Sequence, residues 1–267
     1  MLNKLLKYDL RANTKLFLII WPAMLLFAGL QRLLLFLRGD SLFSGVMTAM
    51  LTVLMLFSMV AAVVLCFVIC VVRFYSGLLR REGYLMFTLP VKPWQLLLSK
   101  FLTALLTLTV TCAFAYVGIA IILSGLYEEI WTKMFDLSTI FGENVNVCVL
   151  ILMALTALAT LANLLLRVYF VSCLGHLFRR ARVFLSILFF YLIGLLSQIG
   201  AMLMFSSVEL IPGESTVVKV FGAWLNSLSA DGTLCLFFGG ILFVNAVIGC
   251  VYFFVSEVIL RKRLNLD

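Results

Sequence analysis

Covalent chemistry has few candidates in this sequence. His176 is its single histidine, so no multi-histidine zinc or haem site can be assembled, and beside Arg179, Arg180 and Arg182 it reads as a solvated residue of a basic loop. Cys66, Cys70, Cys112, Cys148, Cys173, Cys235 and Cys250 all fall within or at the edges of apolar runs, none in C-x-x-C spacing. They read as small packing residues rather than disulfides or metal ligands. An intramembrane serine protease needs a general base at membrane depth, and none is offered. The phosphate-binding loop G-x-x-x-x-G-K-[ST] does not occur. Arg32 and Glu257 stand at the ends of apolar runs, which leaves no Asp, Glu or Lys relay of the kind proton-driven transporters use. No catalytic, metal-binding or cofactor-binding residue is expected, and energy to move a substrate would have to come from a partner.

What remains is interaction chemistry, and it concentrates between residues 80 and 100: Arg-Arg-Glu-Gly-Tyr-Leu-Met-Phe-Thr-Leu-Pro-Val-Lys-Pro-Trp-Gln-Leu-Leu-Leu-Ser-Lys. Charge, a glycine and two prolines meet here between two stretches long enough to cross a membrane. Gly83 permits backbone angles other residues resist, and Pro90 stops one helix from running through. The segment is expected to be a short surface helix offering Glu82 and the cluster Tyr84, Leu85, Met86 and Phe87 to a partner. An ordinary re-entry loop whose aromatics sit among lipid headgroups explains the same residues.

The elements that must position this elbow follow from composition. Of 267 residues, 64% are hydrophobic and 12% charged, and the mean hydropathy is +1.19, far more apolar surface than one soluble core hides. The predicted fold is all-α, one membrane domain over 1–267 with six spans at about 16–37, 44–72, 96–123, 147–166, 183–205 and 233–256. Pro93 and Gln95 mark the start of the third, because proline suits a first helical turn. The fourth is expected to end at Arg167 and lead into the His176–Arg182 loop, with Ala154, Ala157, Ala159 and Ala162 allowing close packing. The net charge of +8 is explained by loop asymmetry rather than by nucleic acid: predicted inner segments hold sixteen Lys/Arg and four acids, outer ones four Lys/Arg and eight acids. Both termini are therefore expected in the cytoplasm.

Residues 1–15 set Lys4, Lys7, Arg11 and Lys15 against Leu2, Leu5, Leu6 and Leu10, the pattern of an amphipathic helix lying along the inner leaflet. Asp9 falls on the leucine side, where it either bends out to water, meets a neighbouring lysine or is buried against an arginine of the elbow. Trp21-Pro22 is expected to kink the first span. Arg32 either snorkels to the outer headgroups or lines a pathway. Arg80, Arg81 and the Arg179, Arg180 and Arg182 cluster are expected on one inner face, available to anionic lipid or a partner.

Glu82-Gly83-Tyr84, Phe87-Thr88-Leu89-Pro90-Val91 and Gln95-Leu96-Leu97-Leu98-Ser99-Lys100 resemble the elbow of bacterial ABC transporter permeases of the type 2 (exporter) class. Leu5-Leu6-Lys7-Tyr8-Asp9-Leu10 and Leu264-Asn265-Leu266 are similar to that family as well, so the likeness spans the chain although only the elbow is specific. Lys92 departs from it, standing where family members usually have a small hydroxyl residue. The resemblance implies a non-enzymatic membrane subunit of the bacterial cytoplasmic membrane, paired with a second permease copy or paralogue. Two separate ATP-binding subunits would hold ATP and Mg. Arg81, Glu82, Gly83, Tyr84, Leu85, Met86, Phe87 and Thr88 would form the coupling helix resting in a cleft of the ATPase, and the cargo would be amphipathic or hydrophobic (peptide, drug or lipid). A polytopic enzyme acting on lipids and an ATPase-independent immunity protein are the alternatives.

Overall fold

The computed structural model describes residues 2–36, 42–79, 93–126, 147–178, 182–210 and 230–262, and among these all but Leu177 and Phe178 are helical. The helices are α1 (Leu2–Phe36), α2 (Leu42–Phe74), α3 (Pro93–Leu126), α4 (Val147–His176), α5 (Arg182–Leu210) and α6 (Ala230–Lys262), and α2 continues into a π-helical turn, Tyr75–Leu79. All six helices are long and apolar enough to cross a membrane. That is the build of a multi-pass membrane protein, because a helix closes its backbone hydrogen bonds internally where no water can.

Two boundaries refine the expectation from sequence. The amphipathic N-terminal stretch and the first span form one uninterrupted helix of 35 residues with Pro22 inside it. Helix α4 does not end at Arg167 but runs on to His176. A single arginine inside a long Leu/Val run does not stop a helix, because its backbone is as good a helix former as leucine's. His176 is accordingly the last residue of α4 and half-buried rather than a loop residue. Helix α3 starts at Pro93 as expected, and Arg182 opens α5. The elbow residues 80–92, together with Arg179 and Arg180, lie outside the described residues.

The chain divides into two compact units, Met1–Asn144 and Val145–Asp267. In the first, α1, α2 and α3 all pack on one another. Contacts fix the directions: Asp9 meets Lys100 and Trp21 meets Thr111, a constant offset that makes α1 and α3 parallel, whereas Arg73 meets Asn13 and Thr52 meets Gln31, so α2 runs the other way. Met24, Ala28, Met59, Ala115 and Ile122 form the apolar core. Small residues let the backbones approach here, Gly118 lying under the Met59 thioether with room for no more than a strained Cβ at 3.0 Å from Cε.

In the second unit α4 packs against both α5 and α6. Asn163 meets Asn245 and Phe170 stacks on Tyr252 at 5.4 Å, so α4 and α6 are parallel. Helix α5 runs antiparallel to α4, with Arg167 on Phe190 and Phe178 near Phe189. Burial centres on α4, whose second half is covered on most sides at Leu165, Leu166, Tyr169, Val171, Ser172 and Cys173. Ala154 and Ala157, expected to pack, are exposed. The close approach is made instead by Gly249 of α6 under Asn163.

Candidate functional site

Polar groups inside an apolar bundle must be paired, so they show where the sequence spends stability on something other than packing. In the first unit they form a seam. On α3, Ser99, Thr103, Thr107 and Thr111 recur at four-residue spacing, all buried, on one face. Each returns a hydroxyl to a carbonyl one turn back, Thr107 to Thr103 at 2.9 Å and Thr111 to Thr107 at 2.7 Å, so no donor is stranded. The Cys70 thiol lies 3.4 Å from the Thr107 hydroxyl and the Cys66 thiol 3.3 Å from that of Thr111. Both cysteines are buried. The Trp21 indole donates to Thr111 Oγ1 at 3.0 Å while its ring stacks on Phe114 at 5.4 Å, stitching α1 to α3.

The seam ends in charge. Asp9 pairs with Lys100 Nζ, with side chains only 14% and 16% exposed, and accepts a second bond from Ser99 Oγ at 3.1 Å. Asp9 therefore meets a lysine, one that stands on α3 rather than on its own helix. One turn along α1, Asn13 accepts from Arg73 of α2, which also donates to the Ala12 carbonyl at 3.0 Å. Lys100 passes Gly77 of the π-helical turn, where a Cβ would sit 3.7 Å from its Cε. The three strands of chain that frame the elbow, the end of α2, the start of α3 and the first turns of α1, are thus joined by two charged contacts. At the far end of α1, Gln31 donates to Thr52 Oγ1 at 2.9 Å, and Arg32, exposed, donates to the Ile121 carbonyl at 3.4 Å.

The second unit holds a different arrangement. Asn163 Nδ2 donates to the Asn245 carbonyl at 2.7 Å and to its Oδ1 at 2.6 Å, and Asn245 Nδ2 donates to the Ile241 carbonyl at 2.8 Å. One turn on, Arg167 Nη2 donates to the Phe190 carbonyl at 2.6 Å with Cζ 4.5 Å from the centre of the Phe190 ring. Arg167 Nε and Asn163 Oδ1 are buried with no hydrogen-bond partner.

No protein-family model, curated protein or solved structure matches this chain. Geometry and the sequence itself must therefore carry the functional reading.

Of the residues singled out by sequence, Asp9 is brought into a site, Arg32 lies exposed at the far end of the same unit, and Arg182 begins α5. Arg80, Arg81, Glu82, Gly83, Tyr84, Leu85, Met86, Phe87, Thr88, Arg179 and Arg180 are outside the described residues. From sequence, Asn13 and Arg73 have no role and Lys100 enters only as the last residue of the elbow motif, although Asp9 and Asn13 share one face at four-residue spacing, a legible signal. Asn163 and Arg167 carry the same signal, a polar pair one turn apart inside an apolar run, and reading Arg167 as the end of its span concealed it.

Proposed function

We propose that this chain is the membrane-spanning permease subunit of an ATP-binding-cassette transporter, an exporter of amphipathic or hydrophobic molecules in the bacterial cytoplasmic membrane. It would be driven by separate ATPase subunits and paired with a second permease copy or paralogue. The reading rests on the resemblance of the elbow, on six helices able to span a membrane, and above all on one observation. The first turns of α1 hold both flanks of the elbow, Arg73 through Asn13 and Lys100 through Asp9.

A coupling segment is useful only if its displacement moves the membrane helices rather than bending its own base. The Asp9–Lys100 pair at low exposure gives such a base, since breaking it leaves a charge without its counter-ion, and half-buried Arg73 adds a second tie through Asn13 and the Ala12 carbonyl. With Arg81–Thr88 in a cleft of the ATPase, closure of two ATPases around ATP would push on the elbow, and α1, α2 and α3 would move together. By the positive-inside rule this end and both termini would lie on the cytoplasmic side.

The test is co-purification of the tagged chain with a separately encoded ATP-binding protein. Retention by the unaltered protein and loss in Glu82→Arg and Gly83→Pro are expected. Retention by both variants, or labelling of the elbow from outside the cell, would overturn the assignment.

A further inference from the structure

We propose that Arg167 is the seat for the acidic headgroup of an amphiphile, a phosphate monoester or carboxylate carried on an alkyl chain. The guanidinium stands roughly two and a half turns, about 13 Å, from the His176 end of α4, inside the stretch able to span the membrane. An arginine does not lose its charge at any ordinary pH, so a charge is held there permanently. No carboxylate among the described residues pairs with it.

The surroundings admit this charge by design. At Gly194 of α5 an added Cβ would collide with Nη2, so the glycine makes the space the guanidinium fills. The Phe190 ring covers one side. Of the five N–H donors of the fork, one edge reaches the Phe190 carbonyl, while Nε is buried with no acceptor. A residue kept only to tie α4 to one backbone carbonyl would need a single neutral donor at far smaller desolvation cost. Nη1 instead is neither buried nor hydrogen-bonded, so this side of the fork is the one open to a planar or tetrahedral oxyanion.

The side chain as a whole is half-buried, so it is not sealed from a ligand. The exposed side chains of the adjoining helix face, Ile187, Tyr191 and Leu195, are largely apolar, the surface an alkyl tail prefers.

This inference deepens the permease reading by naming a cargo class, but binding needs no ATPase, so either can fail without the other. Purified full-length protein in phosphatidylcholine nanodiscs would be titrated with dodecyl phosphate at about 0.5 M salt, where contacts to exposed basic residues are screened. Dodecyl maltoside, laurate and inorganic phosphate are the parallel arms. Dodecyl phosphate or laurate should bind at least about tenfold more tightly than dodecyl maltoside, and Arg167→Gln should abolish that preference. Arg167→Lys, which keeps the charge but not the fork, should weaken binding several-fold, and it carries the test if the glutamine variant does not fold.

Equal binding of the charged and neutral amphiphiles by the unaltered protein would overturn the proposal. So would an undiminished preference in folded Arg167→Gln, or in Arg167→Lys where the glutamine variant does not fold. Inorganic phosphate binding as tightly as dodecyl phosphate would remove the amphiphile from it.

Discussion

The two units share a plan and differ in how they treat charge. Each is three helices in up-down-up order whose first and third members are parallel and closely packed. In the first unit every helix touches the other two, and the charges at its end are answered from within, Lys100 by Asp9 and Arg73 by Asn13 and a backbone carbonyl. In the second, α4 carries the buried surface while none of the α5 span is buried, and Arg167 meets a carbonyl and a ring but no anion. On the reading proposed above, the closed unit would transmit displacement and the open one, with its unanswered charge, would receive a ligand. The difference teaches that two bundles of similar composition can be assigned different work by where their few polar residues are satisfied.

The sharpest way to break this contrast is to remove one charge from each unit. Asp9→Leu leaves the Lys100 ammonium at low exposure without its counter-ion, and stability should fall by about 3 kcal/mol. The double variant Asp9→Leu/Lys100→Leu should regain most of that loss, because an apolar pair replaces a satisfied ion pair at little net cost. Arg167→Met should change stability by less than about 1 kcal/mol or raise it, since no partner charge is orphaned and the Phe190 carbonyl keeps its helical bond. Thermal midpoints of the purified variants in one detergent read all three. Equal losses for Asp9→Leu and Arg167→Met would erase the distinction between the units.

The extent to which this was legible follows from what each residue's neighbours contribute. Six helices could be read from hydropathy because crossing a membrane is a property of one segment and its length, and the start of α3 from Pro93 because a missing N–H is a local fact. Asp9 could be flagged as misplaced from its angle on the wheel, but its partner could not be named: Lys100 lies on another helix, and only packing selects it over the basic residues nearer in sequence. For Arg167 the obstacle is the opposite one. An arginine at a hydropathy edge usually ends a span, and only the tertiary structure supplies Gly194 and Phe190 to hold it inside. The grouping into two units likewise depends on contacts between helices, and nothing in the local sequence marks it.

Glycine-to-alanine changes sharpen the comparison at smaller scale, because helix propensity contributes about 1 kcal/mol in favour of alanine at every such site and the neighbour decides the sign. At Gly249 the new Cβ would stand 2.8 Å from Asn163 Oδ1 and 3.5 Å from Leu166 Cδ1. Asn163 is short and held by two bonds to Asn245, so it yields only by losing them, and Gly249→Ala should destabilise by about 1 kcal/mol net. At Gly118 the new Cβ would meet Met59 Cε at 3.0 Å and Sδ at 3.2 Å, with Ala28 at an ordinary 3.8 Å. A methionine has three rotatable bonds and a thioether that adapts to irregular space, so its terminal methyl swings aside without breaking a polar contact. Gly118→Ala should then leave the thermal midpoint unchanged or raise it slightly. If Gly118→Ala proved the more damaging of the two, the apolar core of the first unit would be the rigid element and the Asn163–Asn245 contact the adaptable one, the reverse of the assignment made here.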